Sequence, residues 1–264
     1  MLKGWHLSSY FLMPGAESGV AQGMHHFTCF CFGQAQHKIT PSYVAMQTSM
    51  LESLEETPGV IKLVECGSMH GLPFLITKPF GRHLEFNDNA QLIVSVIDGA
   101  AAVIQQLAYR TTPILHRDIS VGNLIYYDEP PITYLVEFGT AVRAPGGHYL
   151  PLSPNNITGT RAFMARDVLQ CKGYTVSSEL ESLMYVTVFL ALSGVVRWAK
   201  SSNRSALAFK TESFCDQENF EQHVLRRCRK DLVVVVQRLR DLFWKPTYQR
   251  NVTALQFQQA LHSQ

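Results

Sequence analysis

The feature that most constrains this chain is the spacing of three side chains around two short apolar runs. Ile114-Leu115 leads into His116-Arg117-Asp118-Ile119-Ser120-Val121-Gly122-Asn123, and Ile132-Thr133-Tyr134-Leu135-Val136 leads into Glu137-Phe138-Gly139. The second run, rich in β-branched residues, predicts a strand, so Asp118, Asn123 and Glu137 are expected on two neighbouring loops. An aspartate there can accept a proton from a hydroxyl, while an amide oxygen and a carboxylate can ligate a hard divalent cation.

This pattern resembles the catalytic and metal-binding loops of eukaryotic-type protein kinases: His-Arg-Asp, then Asn five residues after the Asp, then Asp-Phe-Gly. Two details resemble the fungal-type protein kinase family in particular. Ser120 stands where most serine/threonine kinases carry Lys, and Glu179-Leu180-Glu181-Ser182 is similar to the family's Asp-Leu-Glu-Ser helix start. The spacing agrees, with 19 residues from Asp118 to Glu137 and 12 from Asp167 to Glu179.

The resemblance implies an α+β, bilobal protein-kinase-like fold in one domain over residues 1–264. A small β-rich N-lobe and hinge approach would take residues 1–80, without its completeness being assured, and a mainly helical C-lobe residues 81–264. It implies ATP and Mg2+ as cofactors and a serine or threonine hydroxyl of a protein substrate as acceptor. Asp118 would orient and deprotonate that hydroxyl, Asn123 and Glu137 would hold the metal, and Arg117 would clamp a phosphate or acid on the activation segment. Lys38, Glu137 and Gly139 would face the nucleotide.

Several positions depart from the family pattern. Glu137 replaces an Asp and carries its carboxylate about one bond length farther, which is expected to weaken an octahedral Mg2+ site without abolishing it. Gly15, Gly19 and Gly23 do not match the Gly-x-Gly-x-x-Gly order. Lys38 is the sole Lys between Lys3 and Lys62, and reads equally as a phosphate contact or an exposed loop residue. The helix expected over 41–57 places Gln47 where kinases carry the acid that pairs with this Lys, with Glu55 at the edge of the apolar face and Glu52 farther out. Ala165-Arg166-Asp167 replaces Ala-Pro-Glu, with Arg250 as the expected partner of Asp167. Glu179, in place of Asp, is expected to brace the catalytic loop from below.

Elsewhere, strands are expected over 60–66 and 72–77 with a turn at 67–71, a hinge at 78–82, and a buried helix over 92–109. Residues 140–158 read as a mobile activation segment. A long apolar helix follows from Glu179 to Leu192, then two helices near 217–230 and 231–244. Arg226, Arg227, Arg229 and Lys230 read as a solvated face.

An apolar fraction of 46% suits a proper core, while 17% charged residues and a net charge of +2 point to neither nucleic acid nor an anionic membrane. The longest apolar run, 183–196, falls short of the roughly 20 residues that span a bilayer. Residues 1–7 lack the pattern of a secretory signal, and six cysteines show no framework spacing, so an intracellular, cytoplasmic or nuclear setting is expected. His25, His26, Cys29 and Cys31 can be drawn as a zinc site, but their alternation fits a strand better. Two further classes stay open beside a protein kinase: a pseudokinase scaffold, and a small-molecule phosphotransferase sharing His-x-Asp.

Overall fold

The structure, a computed structural model, describes residues 28–30, 41–69, 72–128, 131–144, 149–151 and 157–263. The Gly15, Gly19 and Gly23 stretch, Lys38, His25, His26 and Cys31 lie outside these residues. On the N-terminal side, β1 (Thr28–Phe30), β2 (Lys62–Met69) and β3 (Leu72–Lys78) form an antiparallel sheet in the order β1-β3-β2, and α1 (Pro41–Ser53) packs on it. Cys29 pairs with Ile76 across that sheet, in keeping with the strand reading.

α1 ends at Ser53, short of the expected 57, and the region around β2 also differs from expectation. Val60 and Ile61 are not part of β2, because the backbone there bridges to Leu135: the Ile61 N–H donates to the Leu135 carbonyl at 3.2 Å, and Leu135 N–H to Gly59 at 2.8 Å. Gly67 is not a turn but lies within β2 opposite Phe74, whose ring fills the place a Cβ would take, 2.9 Å away.

After β4 (Arg82–His83), Asn89 caps α2 (Ala90–Ala108) by accepting from Leu92 N–H. This helix is long and apolar enough to cross a membrane by length and composition. Here its apolar residues are accounted for by packing, since Ile93, Val96, Ile97, Ala100, Ala101, Val103, Ile104 and Leu107 are buried in the core. β5 (Ile114–Leu115) delivers the first motif and pairs later with β8 (Val142–Arg143). The hairpin of β6 (Leu124–Asp128) and β7 (Pro131–Leu135) connects the two motif loops, with β4 alongside.

β9 (Tyr149–Leu150) pairs with β10 (Tyr174–Thr175), and the short α3 (Arg166–Leu169) lies between them. Thr175 and Ser178 then form a reciprocal capping box that starts α4 (Val176–Ala191) three residues before the expected Glu179. Every residue of α4 from Ser177 onward is buried, as befits a helix apolar on all sides. Around it stand α5 (Asn203–Cys215), α6 (Gln217–His223), α7 (Val233–Trp244) and α8 (Ala254–His262). The result is a kinase-like α+β fold, small sheets on the N-terminal side and helices C-terminal.

The helix expected over 217–230 ends at His223 and is followed by a tight 3-10 turn at Leu225–Arg227, beyond which Arg229 turns inward. Its guanidinium donates to the carbonyls of Phe86 at 2.6 Å and Asp88 at 2.8 Å, and pairs with Asp231. Arg229 is therefore a tie between segments rather than part of a solvated face; Arg226 and Lys230 are exposed.

Gly99 marks the crossing of α2 over β7. Thr133 hydroxyl donates to the Val96 carbonyl at 3.0 Å, and a Cβ on Gly99 would lie 2.5 Å from that hydroxyl oxygen and 2.8 Å from its Cβ. Alanine gains up to about 1 kcal/mol in helix propensity, but overpacking costs about 1–3 kcal/mol. Gly99→Ala should thus lower the free energy of unfolding in urea, whereas propensity alone would raise it.

Candidate functional site

The site is assembled where the loop after β5 meets the loop after β7. His116 is fully buried, and burial holds its imidazole below the usual histidine range, hence neutral. Nε2–H donates to the Val136 carbonyl at 2.9 Å, leaving Nδ1 to accept from Asp118 N–H at 3.3 Å. That bonding assigns the tautomer. The Phe138 ring meets His116 edge-on at 4.8 Å, and Thr140 hydroxyl donates to the His116 carbonyl at 3.0 Å. One loop is thus fastened to the other at both ends.

Arg117 adopts a left-handed backbone conformation, φ 65°, unusual for a residue with a side chain. It is stabilised because its N–H then points down to Glu179 Oε1 at 2.7 Å, and its side-chain Nε donates to the Thr140 carbonyl at 2.6 Å. The guanidinium also lies over the Tyr174 ring, 5.6 Å from its centre. Glu179 lies within the buried part of α4, with only backbone N–H groups of the His116–Arg117 turn opposing the loss of water around its carboxyl. Desolvation therefore dominates and pushes its carboxyl from 4.5 up to about 7.

Asp118 accepts twice. Thr160 N–H donates to Oδ1 at 2.6 Å and the Asn123 amide to Oδ2 at 3.1 Å, the same amide also reaching the Asp118 carbonyl at 2.8 Å. Those donations turn the Asn123 amide oxygen away from Asp118. Val136 N–H donates to the Asn123 backbone carbonyl at 3.1 Å, bringing Glu137 alongside. Asn123 and Glu137 together form a hard-oxygen donor set, whose chemistry fits Mg2+. Glu137 is itself left-handed, φ 63°, and Tyr43 of α1 donates its hydroxyl to Glu137 Oε2 at 3.1 Å. Burial raises the Glu137 carboxyl above the ordinary range, the Tyr43 donation opposing this.

Asp118, Asn123, Arg117, Glu137 and Gly139 thus lie on the two loops joined by these contacts, while Lys38 lies outside the described residues. Gln47 is buried on α1, and Glu52 and Glu55 are exposed, so α1 turns no acid inward among its described residues. Tyr43 and Tyr174 are not legible in the sequence, because nothing in the periodicity of α1 or in the run before α4 records a partner on a distant loop; Thr160 is legible there only as a hydroxyl open to phosphorylation, whereas its backbone N–H is what meets Asp118. Tyr174 hydroxyl donates to the Thr158 carbonyl and accepts from Thr158 N–H.

A buried network carries the segment after Thr158. Glu181, fully buried, accepts from Tyr185 at 2.8 Å, from Tyr248, and from Arg166 N–H at 3.2 Å to both oxygens. Lys210 of α5 supplies positive charge to Glu181, donates to the Met164 carbonyl and sits 3.7 Å from the centre of the Tyr185 ring. Trp198 donates to the Ala162 carbonyl at 2.8 Å. The expected ion pair forms, Arg250 Nε lying 3.2 Å from Asp167. An acid inside the apolar α4 run was the signal available for this network, since a buried carboxylate needs donors.

Two outcomes follow. Lys210→Met removes the cation facing Glu181 and should cost about 3 kcal/mol in urea unfolding, part of which Glu181→Gln recovers in the double variant. Between pH 4.5 and about 7, folded Glu179 keeps a proton that the unfolded chain releases, so stability falls as pH rises through that window. Glu179→Gln should flatten this slope, worth on the order of 3 kcal/mol in total, in unfolding measured at pH 5, 6 and 7.

Comparison with known proteins agrees with this geometry. The family model described as fungal protein kinase matches residues 39–191, which include both motif loops and α4. Among curated proteins, mitogen-activated protein kinase kinase kinase 8 of Rattus norvegicus is 28% identical over 93 residues, 35% of this chain and 19% of that protein. Cytokinesis protein sepH of Aspergillus niger is 30% identical over 143 residues, and that of Emericella nidulans 31% over 144, each 54% of this chain and 9% of the relative. The matches thus span less than a fifth of the curated relatives' lengths. With its matched region running from α1 through α4 around a His116-Arg117-Asp118 and Asn123 loop, the chain belongs to the fungal protein kinase family.

Proposed function

We propose that the chain is an ATP- and Mg2+-dependent protein kinase that transfers the γ-phosphoryl group to a serine or threonine hydroxyl. The observation that carries this reading is the setting of Asp118, whose carboxylate is held by the Asn123 amide on one side and by Thr160 N–H on the other. Each carboxylate oxygen retains a second lone pair, so Asp118 can still accept from an acceptor hydroxyl. The hydroxyl oxygen attacks the γ-phosphorus, its proton passes to Asp118, and the bond to the bridging oxygen breaks to release ADP.

Asn123 and Glu137 would hold Mg2+, which when bound neutralises charge on the phosphates. The remaining residues orient and shield. The network of Glu181, Lys210 and Trp198 holds the 162–166 backbone, where a protein substrate would rest beside Thr160. The family membership and the kinase relatives support the phosphotransferase class.

A second reading, a pseudokinase scaffold, is favoured by one feature: Gln47 occupies the inward face of α1 in place of an acid. The two separate in a thermal-shift titration. A kinase should melt higher with ATP and Mg2+, by about 2.7 kcal/mol of stabilisation at 100 times Kd. Asp118→Asn should keep that shift and lose phosphate transfer to a generic protein substrate by about 10²-fold or more. No shift at millimolar ATP with Mg2+, and no transfer, would favour the scaffold.

A further inference from the structure

We infer that Tyr43 is a positioning residue that holds Glu137 for the metal and thereby couples α1 to the catalytic loops. The inference rests on the phosphotransfer reading above. Tyr43 makes two contacts with one loop. Its hydroxyl donates to Glu137 Oε2 at 3.1 Å, and its ring lies so close to Gly139 that a Cβ there would fall 2.1 Å from the ring and 2.3 Å from the hydroxyl oxygen. A Cβ on residue 139 would therefore displace the end of the Tyr43 side chain, and with it the hydroxyl from Glu137.

The arrangement answers a difficulty set by the sequence. Glu137 has one more rotatable bond than aspartate, and a freely turning carboxylate is a poor ligand for a cation that demands strict geometry. Tyr43 engages one carboxylate oxygen, Oε2, and so restrains that extra bond. α1 also lacks an inward acid, since Gln47 is buried at the expected place and Glu52 and Glu55 are exposed. Tyr43 supplies a polar link between α1 and the metal loop in its stead. Any movement of α1 that withdraws Tyr43 releases both Gly139 and Glu137, so the position of this helix sets the affinity for metal.

The test uses Tyr43→Phe, which keeps the ring on Gly139 and removes the hydroxyl. The Mg2+ concentration giving half of the ATP-dependent rise in Tm should increase about tenfold, as expected for losing a hydrogen bond to a charged group, with the shift by ATP alone unchanged. In a Glu137→Asp background, where the shorter acid withdraws from Tyr43, the same substitution should add little; this non-additivity separates positioning from packing. Hydrogen exchange of amides 136–141 in the ligand-free protein should quicken in Tyr43→Phe. An unchanged Mg2+ midpoint overturns the inference, and a lower one overturns it too by showing that the hydroxyl competes with the cation. Should the wild type ignore Mg2+ and ATP, the phosphotransfer reading fails, and the exchange rates alone then decide whether Tyr43 holds Glu137: unchanged rates overturn that as well.

Discussion

The hydrogen bond from Arg117 N–H to the buried Glu179 carboxylate is the contact on which the rest of the site depends. Arg117 occupies a backbone region that disfavours side chains, and the conformation persists because a carboxylate deep in α4 receives its N–H. From that point the chain is fixed in both directions. His116 turns inward to Val136 and Phe138, and Asp118 turns outward to Thr160 and Asn123. A helix with no exposed face is a rigid base for such a loop, and the cost is a carboxyl that resists ionisation.

The same helix serves a second purpose two residues later. Glu181 lies on α4 but points to the segment after Thr158, where it accepts from Arg166 N–H and two tyrosines, while Lys210 balances its charge and ties down Met164. Lys210 is stripped of water, and its amine falls to about 7. Burying a cation and an anion together yields little net stability, but each loses much if the other is removed. The network therefore specifies one arrangement of the segment after Thr158 more than it strengthens the fold. Asp167 with Arg250, and Arg166 over Tyr248 and Trp244, extend that specification to the rim.

Glu137 shows how a longer acid is accommodated at the end of β7. The longer acid keeps a left-handed backbone and finds a donor in Tyr43, whose close seat on Gly139 leaves no room for a side chain there. The loop after β7 and α1 are thus joined by these two contacts.

The sequence by itself determined the fold class, the two motif loops, the bracing acid and the Asp167–Arg250 pair, because those depend on chemical identity at fixed spacing. Boundaries within a strand or helix were legible to a few residues where alternation was clear, as in β3 and α2. α5 is not legible, since it buries Lys210 and Ser213 beside Ala206 and Phe214 and so has no apolar stripe, and the short α8 is marked in the sequence only by its capping box of Thr253 and Gln256. Tertiary structure alone decided that Val60 and Ile61 join Leu135 rather than β2, that Arg229 is a tie, and that Tyr43 reaches Glu137 across 94 residues. The reason is common to all three: each depends on which distant backbone or side-chain group is near enough to accept a hydrogen bond, and local periodicity carries no record of that distance.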